Sequence, residues 1–237
     1  MICLTRHRRS RRAYLLGLML WLMVFCPLPS KAAKQETTTA LADKQVLLFD
    51  TLEFRGSLKA LAGWTNLVEE ARRQITNFQK CEQNLEGCQA PARNWLLMLS
   101  KARKLNNLEQ LKFVNHFFNR WPYRLDLEVY GQSDYWATPQ EFMRLSGDCE
   151  DYAISKYFAL RQLGYPVDAL RIVIVKDQIR NLGHAILVVY MTSQAIVLDN
   201  MSDLIITQKH YSHYQPQYSL NEESRWAHIR KYRKNTP

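Results

Sequence analysis

Gly147-Asp148-Cys149-Glu150-Asp151-Tyr152-Ala153-Ile154-Ser155-Lys156-Tyr157-Phe158-Ala159-Leu160-Arg161-Gln162-Leu163-Gly164-Tyr165-Pro166 reads as a single helix with a stop signal at each end. Asp148 is a good N-cap, because a short carboxylate can accept from the unpaired amides of a first helical turn. Ala153, Ile154, Tyr157, Phe158, Leu160 and Leu163 supply a broad apolar face. Gly164 suits the left-handed position that follows a helix, and Pro166 bars its continuation. The spacing predicts a helix over 149–163. Beyond it the period changes from helical to extended, with apolar runs at Leu170–Val175, Ala185–Tyr190 and Ala195–Leu198. Rich in Val, Ile and Leu, these runs read as a buried antiparallel sheet.

Upstream the pattern is helical. Leu58, Leu61, Ala62, Leu67 and Val68 recur at spacings of three and four, as do Trp95, Leu96, Leu99, Ala102, Leu105 and Leu108, then Leu111, Val114, Phe117 and Phe118. Gly56-Ser57, Gly87 to Pro91 and Asn106-Asn107 are expected breaks, and Trp121-Pro122 closes the last helix. Residues 122–140 lack a period and read as a long ordered loop. A helical half followed by strands predicts an α+β fold, with a helical N-terminal part packed on an antiparallel sheet. The expected division is an export signal at 1–32, a flexible segment at 33–45 and one domain at 46–237. Within that domain the helical part is 46–121, the catalytic core 122–205 and the C-terminal tail 206–237.

The formal charge of +10 on 237 residues invites a nucleic-acid reading. Six of those charges, Arg6, Arg8, Arg9, Arg11, Arg12 and Lys31, lie in residues 1–32, where there is no acid. The remainder carries 26 bases against 22 acids, which is an ordinary solvated surface, and no nucleic-acid partner is expected. The basic start, the apolar run Ala13–Cys26 and the small residues of Ser30-Lys31-Ala32 make an export signal cleaved after Ala32 or Ala33. The run is shorter than the ~20 residues of a membrane span. An uncleaved anchor and the twin-arginine route (Arg11-Arg12) are the alternatives. The chain is therefore expected in the periplasm, an oxidising compartment. It keeps Cys81, Cys88 and Cys149 there. Cys81 and Cys88 are close in sequence and are the disulfide candidates, two independent buried thiols being the alternative. Cys149 is the thiol left over.

A thiol at a helix start gains from the first-turn amides and the helix dipole, which favour the thiolate. Its base is sought among His116, His184, His210, His213 and His228. With a hairpin loop at Met191 to Gln194, paired positions sum to 385, so Ile186 faces Asp199 and His184 faces Met201. His184 and Asp199 then share a face as diagonal neighbours, their Cα atoms about 7–8 Å apart. Asp199 can orient the imidazole and leave its other nitrogen for Cys149. On these residues alone, a solvated strand-end His and Asp remain the alternative. Asp148, Glu150 and Asp151 crowd the thiol and oppose its ionisation. Either they cap the helix, or a hard cation such as Ca²⁺ sits among them. The oxyanion donors expected are the Cys149 backbone N–H and a side chain such as Trp136 or Gln132.

Tyr135-Trp136-Ala137-Thr138-Pro139-Gln140-Glu141-Phe142, Gly147 to Tyr157, Leu163-Gly164-Tyr165-Pro166, Leu170-Arg171, Gly183-His184-Ala185 and Val197-Leu198-Asp199-Asn200 together resemble the bacterial transglutaminase-like cysteine proteinases. The likeness spans most of residues 120–205. It implies a papain/transglutaminase-like fold with Cys149, His184 and Asp199 as catalytic triad. It implies calcium dependence carried by Asp148 and Glu150. It also implies a large surface adhesin as substrate, cut near its N-terminus so that the adhesin leaves the cell and biofilm dispersal is promoted. An inner-membrane receptor for cyclic di-GMP is the implied partner that sequesters the protease. Ser146 departs from the family, whose members often carry Gly there. A transglutaminase-type acyl transferase would use the same triad, and a catalytically silent binding module is the rival of another class.

Overall fold

The computed structural model describes residues 46–230. The export signal expected at 1–32, the segment 33–45 and the final residues 231–237 lie outside the described residues. In chain order the elements are β1 (Thr51–Gly56), α1 (Ala62–Gln79), α2 (Ala90–Ala102), α3 (Asn107–Asn119), α4 (Asp126–Tyr130), α5 (Pro139–Leu145) and α6 (Cys149–Gln162). They continue as β2 (Leu170–Asp177), β3 (Leu182–Met191), β4 (Gln194–Asp199), β5 (Ser202–Thr207), β6 (Tyr214–Leu220) and β7 (Arg225–Arg230). The strands form one seven-stranded antiparallel sheet in the order β1-β7-β6-β2-β3-β4-β5. The fold is α+β, with the helices packed on the sheet.

The helix expected after Asp148 is α6, and Gly164 takes the left-handed conformation that stops it, at φ 96°. Every residue from Asp151 to Leu160 is buried, because α6 is wedged between α3 and α5 on one side and β2 and β3 on the other. The sheet is covered on both faces. Leu170, Ile172, Leu187 and Leu198 join the helical core with Trp95, Phe118, Phe142 and Tyr157. The alternate positions Val173, Val175, Ile186, Val188 and Val197 pack on Leu48, Tyr211 and Tyr214. A run without polar alternation is what a strand buried on both faces must show. Cys81 and Cys88 form a disulfide between α1 and α2.

Four strands differ from the sequence reading. β1 lies inside the stretch read as helical, β5 straddles the end of the core, and β6 and β7 lie in the stretch read as a tail. β6 contains Pro216, which has no N–H for a ladder. The register beside it shifts between Ile174 and Val175, a bulge that tolerates the proline. β1 and β7 are tied to β2 by Arg171, whose buried guanidinium lies 3.7 Å from the Trp226 ring centroid and bonds Glu53. The long loop read at 122–140 also contains a helix, α4, closed by Gly131 in the left-handed region at φ 67°.

Candidate active site

The nucleophile loop is built under constraint. α5 begins with a capping box in which the Thr138 and Glu141 side chains exchange bonds with each other's backbone N–H, with Pro139 at the first turn. It ends at Ser146, whose φ of 67° and ψ of −172° belong to glycine's territory. A Cβ on Gly147 would lie 1.9 Å from Asp151 Oδ2, so only glycine fits there. Asp151 is fully buried and accepts from the Ala137 N–H (2.7 Å) and the Asp148 N–H (3.2 Å). It thereby pins the loop before α5 to the start of α6, and Cys149 emerges as the first residue of α6.

Cys149 opens onto a cleft of about 470 Å³. Tyr123 and Tyr152 line the helical side, and Leu182, His184 and Asn200 line the sheet side. Among the described residues it is the free cysteine.

His184 sits on β3 and Asp199 ends β4. The pairs Leu187↔Leu198, Tyr190↔Ala195 and Met191↔Gln194 all sum to the expected 385. The turn itself is two residues, Thr192 and Ser193, rather than four, because the hairpin closes one pair further without changing register. His184 Nε2 donates to Asp199 Oδ1 at 2.9 Å, with both side chains buried. The Nδ1 atom is left to face other chemistry. The Met201 N–H also bonds Oδ1 (2.9 Å), and the Tyr214 hydroxyl bonds Oδ2 (2.8 Å). Asn119 of α3 donates to the Asp199 and Ser202 carbonyls and fixes the β4–β5 turn. Burial alone would raise the Asp199 carboxyl. The hydrogen bond and charge of His184, with Met201 and Tyr214, outweigh it and hold the group below its ordinary value.

Two opposed influences on the thiol were expected, the helix start favouring the thiolate and the flanking acids opposing it; the second prevails, and Cys149 is pushed far above the ordinary thiol value. Burial is the first cause, then the charge of Glu150 and a hydrogen bond to it at 3.2 Å, then Asp148; the Ala185 N–H opposes them. Burial and the two carboxyl neighbours outweigh the dipole of one helix end.

The acids form a cluster larger than the expected Asp148 and Glu150. Carboxylate oxygens of Asp126, Asp148 and Asp151 converge within 4.8 Å of one another, as do those of Asp126, Asp134 and Glu150. Asp148 is raised to about 8, first by burial and then by Glu150. Glu150 and Asp126 are raised too, burial leading. Asp126 Oδ1 and Asp148 Oδ1 are buried without a hydrogen-bond partner among the described residues. Converging, unpaired hard oxygens suit a hard divalent cation, and Asp151, whose oxygens already serve two amides, acts as their brace. The sequence reading missed Asp126 and Asp134 because they lie in the stretch taken as a loop. A signal was present in Asp126 opening a short helix that Gly131 closes. Of the proposed oxyanion side chains, Gln132 is exposed and Trp136 packs edge-on to Trp64 at 6.0 Å; neither lines the Cys149 cleft.

A family model described as bacterial transglutaminase-like cysteine proteinase matches residues 68–234. No curated protein matches the chain. Among solved structures the chain is similar to Legionella pneumophila LapG, at 32% identity over 63% of this chain and 87% of that one, TM-score 0.56. The EGTA-treated form matches at 32% identity over 63% and 84%, TM-score 0.56. The calcium-bound form matches at 32% identity over 68% of this chain and 93% of that one, TM-score 0.57.

Proposed function

The chain belongs to the bacterial transglutaminase-like cysteine proteinases, and from that premise we propose that it is a calcium-dependent cysteine endopeptidase of the periplasm. Its substrate is a large cell-surface adhesin, cut near the N-terminus so that the adhesin leaves the cell and the biofilm disperses. An inner-membrane receptor that senses cyclic di-GMP sequesters it. The observation that carries the reading is the buried His184–Asp199 bond of 2.9 Å in the same cleft as the free Cys149.

In the reaction, the Cys149 sulfur attacks the peptide carbonyl carbon and its proton passes to His184 Nδ1. The Cys149 backbone N–H supports the developing oxyanion. The C–N bond breaks, the proton goes to the leaving amine, and a thioester remains. Water then attacks the thioester with the same imidazole as base, releasing a carboxylate and the thiol. Asp199 keeps Nε2 occupied, which leaves Nδ1 as the nitrogen free to take the proton. Asp126, Asp148 and Glu150, with Asp134 beside them, are the residues that would hold calcium. Bound there, it supplies positive charge that offsets the carboxylates next to the thiol. The likeness to a calcium-bound Legionella LapG supports this reading.

The test compares cells carrying the wild-type gene, a deletion and Cys149→Ala. Proteins on the surface and in the medium are identified by mass spectrometry. The expected result is a large surface protein retained whole in both mutants and shed, shortened at its N-terminus, by the wild type. Shedding by Cys149→Ala would overturn the proposal.

A further inference from the structure

We propose that Tyr214 is a positioning residue for this chemistry: its hydroxyl, donated to Asp199 Oδ2, locks the carboxylate so that Oδ1 holds His184 against the cleft. The inference rests on the cysteine-protease reading and deepens it. Asp199 hangs at the end of a strand, where a free carboxylate would rotate about its own side chain. Backbone alone fixes only one oxygen, through the Met201 N–H on Oδ1 at 2.9 Å. That is the oxygen His184 uses. The second oxygen is fixed by Tyr214 at 2.8 Å, and among the described residues no other side chain bonds it. A planar group held at both ends has one orientation, and so does the ring it holds.

Tyr214 is itself braced. It is buried, its ring stacks on Tyr211 at 5.2 Å and 15°, and it lies 5.6 Å from the His184 ring. Its backbone pairs with Asp177 across β2 and β6. Burial first, then the charge and hydrogen bond of Asp199, push the phenol far above its ordinary range, so it remains a donor. Asp199 faces His184 from β3, Met201 from its own turn, Tyr214 from β6, Tyr211 from the segment before β6, and Lys156 from α6. His213 packs on the Tyr214 ring at 4.3 Å. Of these groups, His184 and Tyr214 donate to the carboxylate through side chains. Removing the Tyr214 hydroxyl leaves a buried oxygen bare and disfavours the ionised carboxylate.

The test uses the full protein in calcium, with iodoacetamide as the probe. The alkylation rate of Cys149 is followed by mass spectrometry from pH 5 to 9. Tyr214→Phe keeps the ring and loses the donor. Expected is an acid limb moved to higher pH and a rate at pH 6 lowered about ten- to hundredfold, the worth of one hydrogen bond to a charged group. The melting temperature should stay near that of the wild type. Tyr211→Phe, which does not bond Asp199, should follow the wild type. In an Asp199→Asn background, Tyr214→Phe should cost nothing more. A Tyr214→Phe profile that overlays the wild type overturns the proposal. So does a rate lowered equally at every pH, and so does an undiminished further loss in the Asp199→Asn background. Should wild-type Cys149 react no faster than free cysteine, the protease reading itself falls, an outcome distinct from a failure of Tyr214 alone.

Discussion

The Cys149 thiol donates to the carboxylate of its own chain neighbour, with Sγ 3.2 Å from Glu150 Oε2. A thiol that is buried, and bonded to an anion, resists ionisation. The same carboxylate belongs to the oxygen cluster with Asp126 and Asp134. A cation drawing Glu150 to itself would take the negative charge off the sulfur. Calcium is therefore expected to accelerate iodoacetamide alkylation of Cys149 at pH 7 by about tenfold or more over EGTA, one pKa unit being tenfold in thiolate. Glu150→Gln should lose most of that response. Equal rates in calcium and EGTA would separate the metal from the thiol.

Ser146 and Gly147 hold the loop before the nucleophile, and they make opposite demands. Ser146 occupies φ 67°, ψ −172°, a conformation that costs an L-residue about 1–3 kcal/mol and glycine little. Ser146→Gly is expected to stabilise the protein by about 1 kcal/mol, measured by thermal unfolding. Gly147→Ala should do the reverse, because its Cβ would meet Asp151 Oδ2 at 1.9 Å and that carboxylate cannot leave two amides. A loss of about 2–4 kcal/mol is expected, with slower Cys149 alkylation. Stabilisation of the alanine variant would refute the close-packing account.

What the sequence made legible is what local chemistry determines. Asp148 and Gly164 bound α6 within a residue, and the sum of 385 between β3 and β4 places His184 near Asp199. A two-residue and a four-residue turn share that sum, so the error in loop length did no harm. Expectation stops where partners are remote. β1 pairs with β7 across 169 or more residues, and nothing in Thr51–Gly56 announces that partner. Tyr214 and Asp126 reach the site from stretches read as a tail and a loop, because their role depends on where the sheet and α4 carry them. The thiol was legible in part for a related reason: the helix start and the acids beside it are visible in a sequence, and the burial that leads the shift is not.

Glu222, in the β6–β7 turn, joins three elements. It accepts from Arg161 Nε at 2.7 Å, from Tyr157 at 3.1 Å and from Arg72, and its side chain is 4% exposed. Burial raises its carboxyl, but the two arginines outweigh burial and hold it below the ordinary value. The sign follows: a depressed folded value contributes stability above about pH 4.5, and that stability is lost as pH falls through the folded value. Arg72 is 60% exposed, which discounts its share. Glu222→Gln is expected to cost about 1–3 kcal/mol at pH 7, and the gap from the wild type should narrow below pH 4. Chemical denaturation of both proteins at pH 7 and pH 4 decides it; a gap that widens in acid would contradict the ion-pair account.

Lys156 presents the opposite sign. Its side chain is fully buried in α6, and Nζ has no hydrogen-bond partner among the described residues and lies 5.8 Å from the Tyr152 ring centroid. Burial lowers it from 10.5 to about 7, and the charges of Asp199 and Asp203 oppose that only in part. Between about 7 and 10.5 the unfolded chain binds more protons at this group than the folded one, so its contribution makes stability rise with pH. Below about 7 the folded protein is protonated as well, and the full cost of a buried ammonium is present. Methionine keeps the length and polarisability without the charge. Lys156→Met is thus expected to stabilise the protein by about 1–4 kcal/mol near pH 6, and the advantage should shrink steadily toward pH 10. Guanidinium unfolding of both proteins at pH 6, 8 and 10 measures this directly. A constant offset between them, or a variant that is less stable at pH 6, would mean that Asp199 and Asp203 hold the ammonium more firmly than burial opposes it.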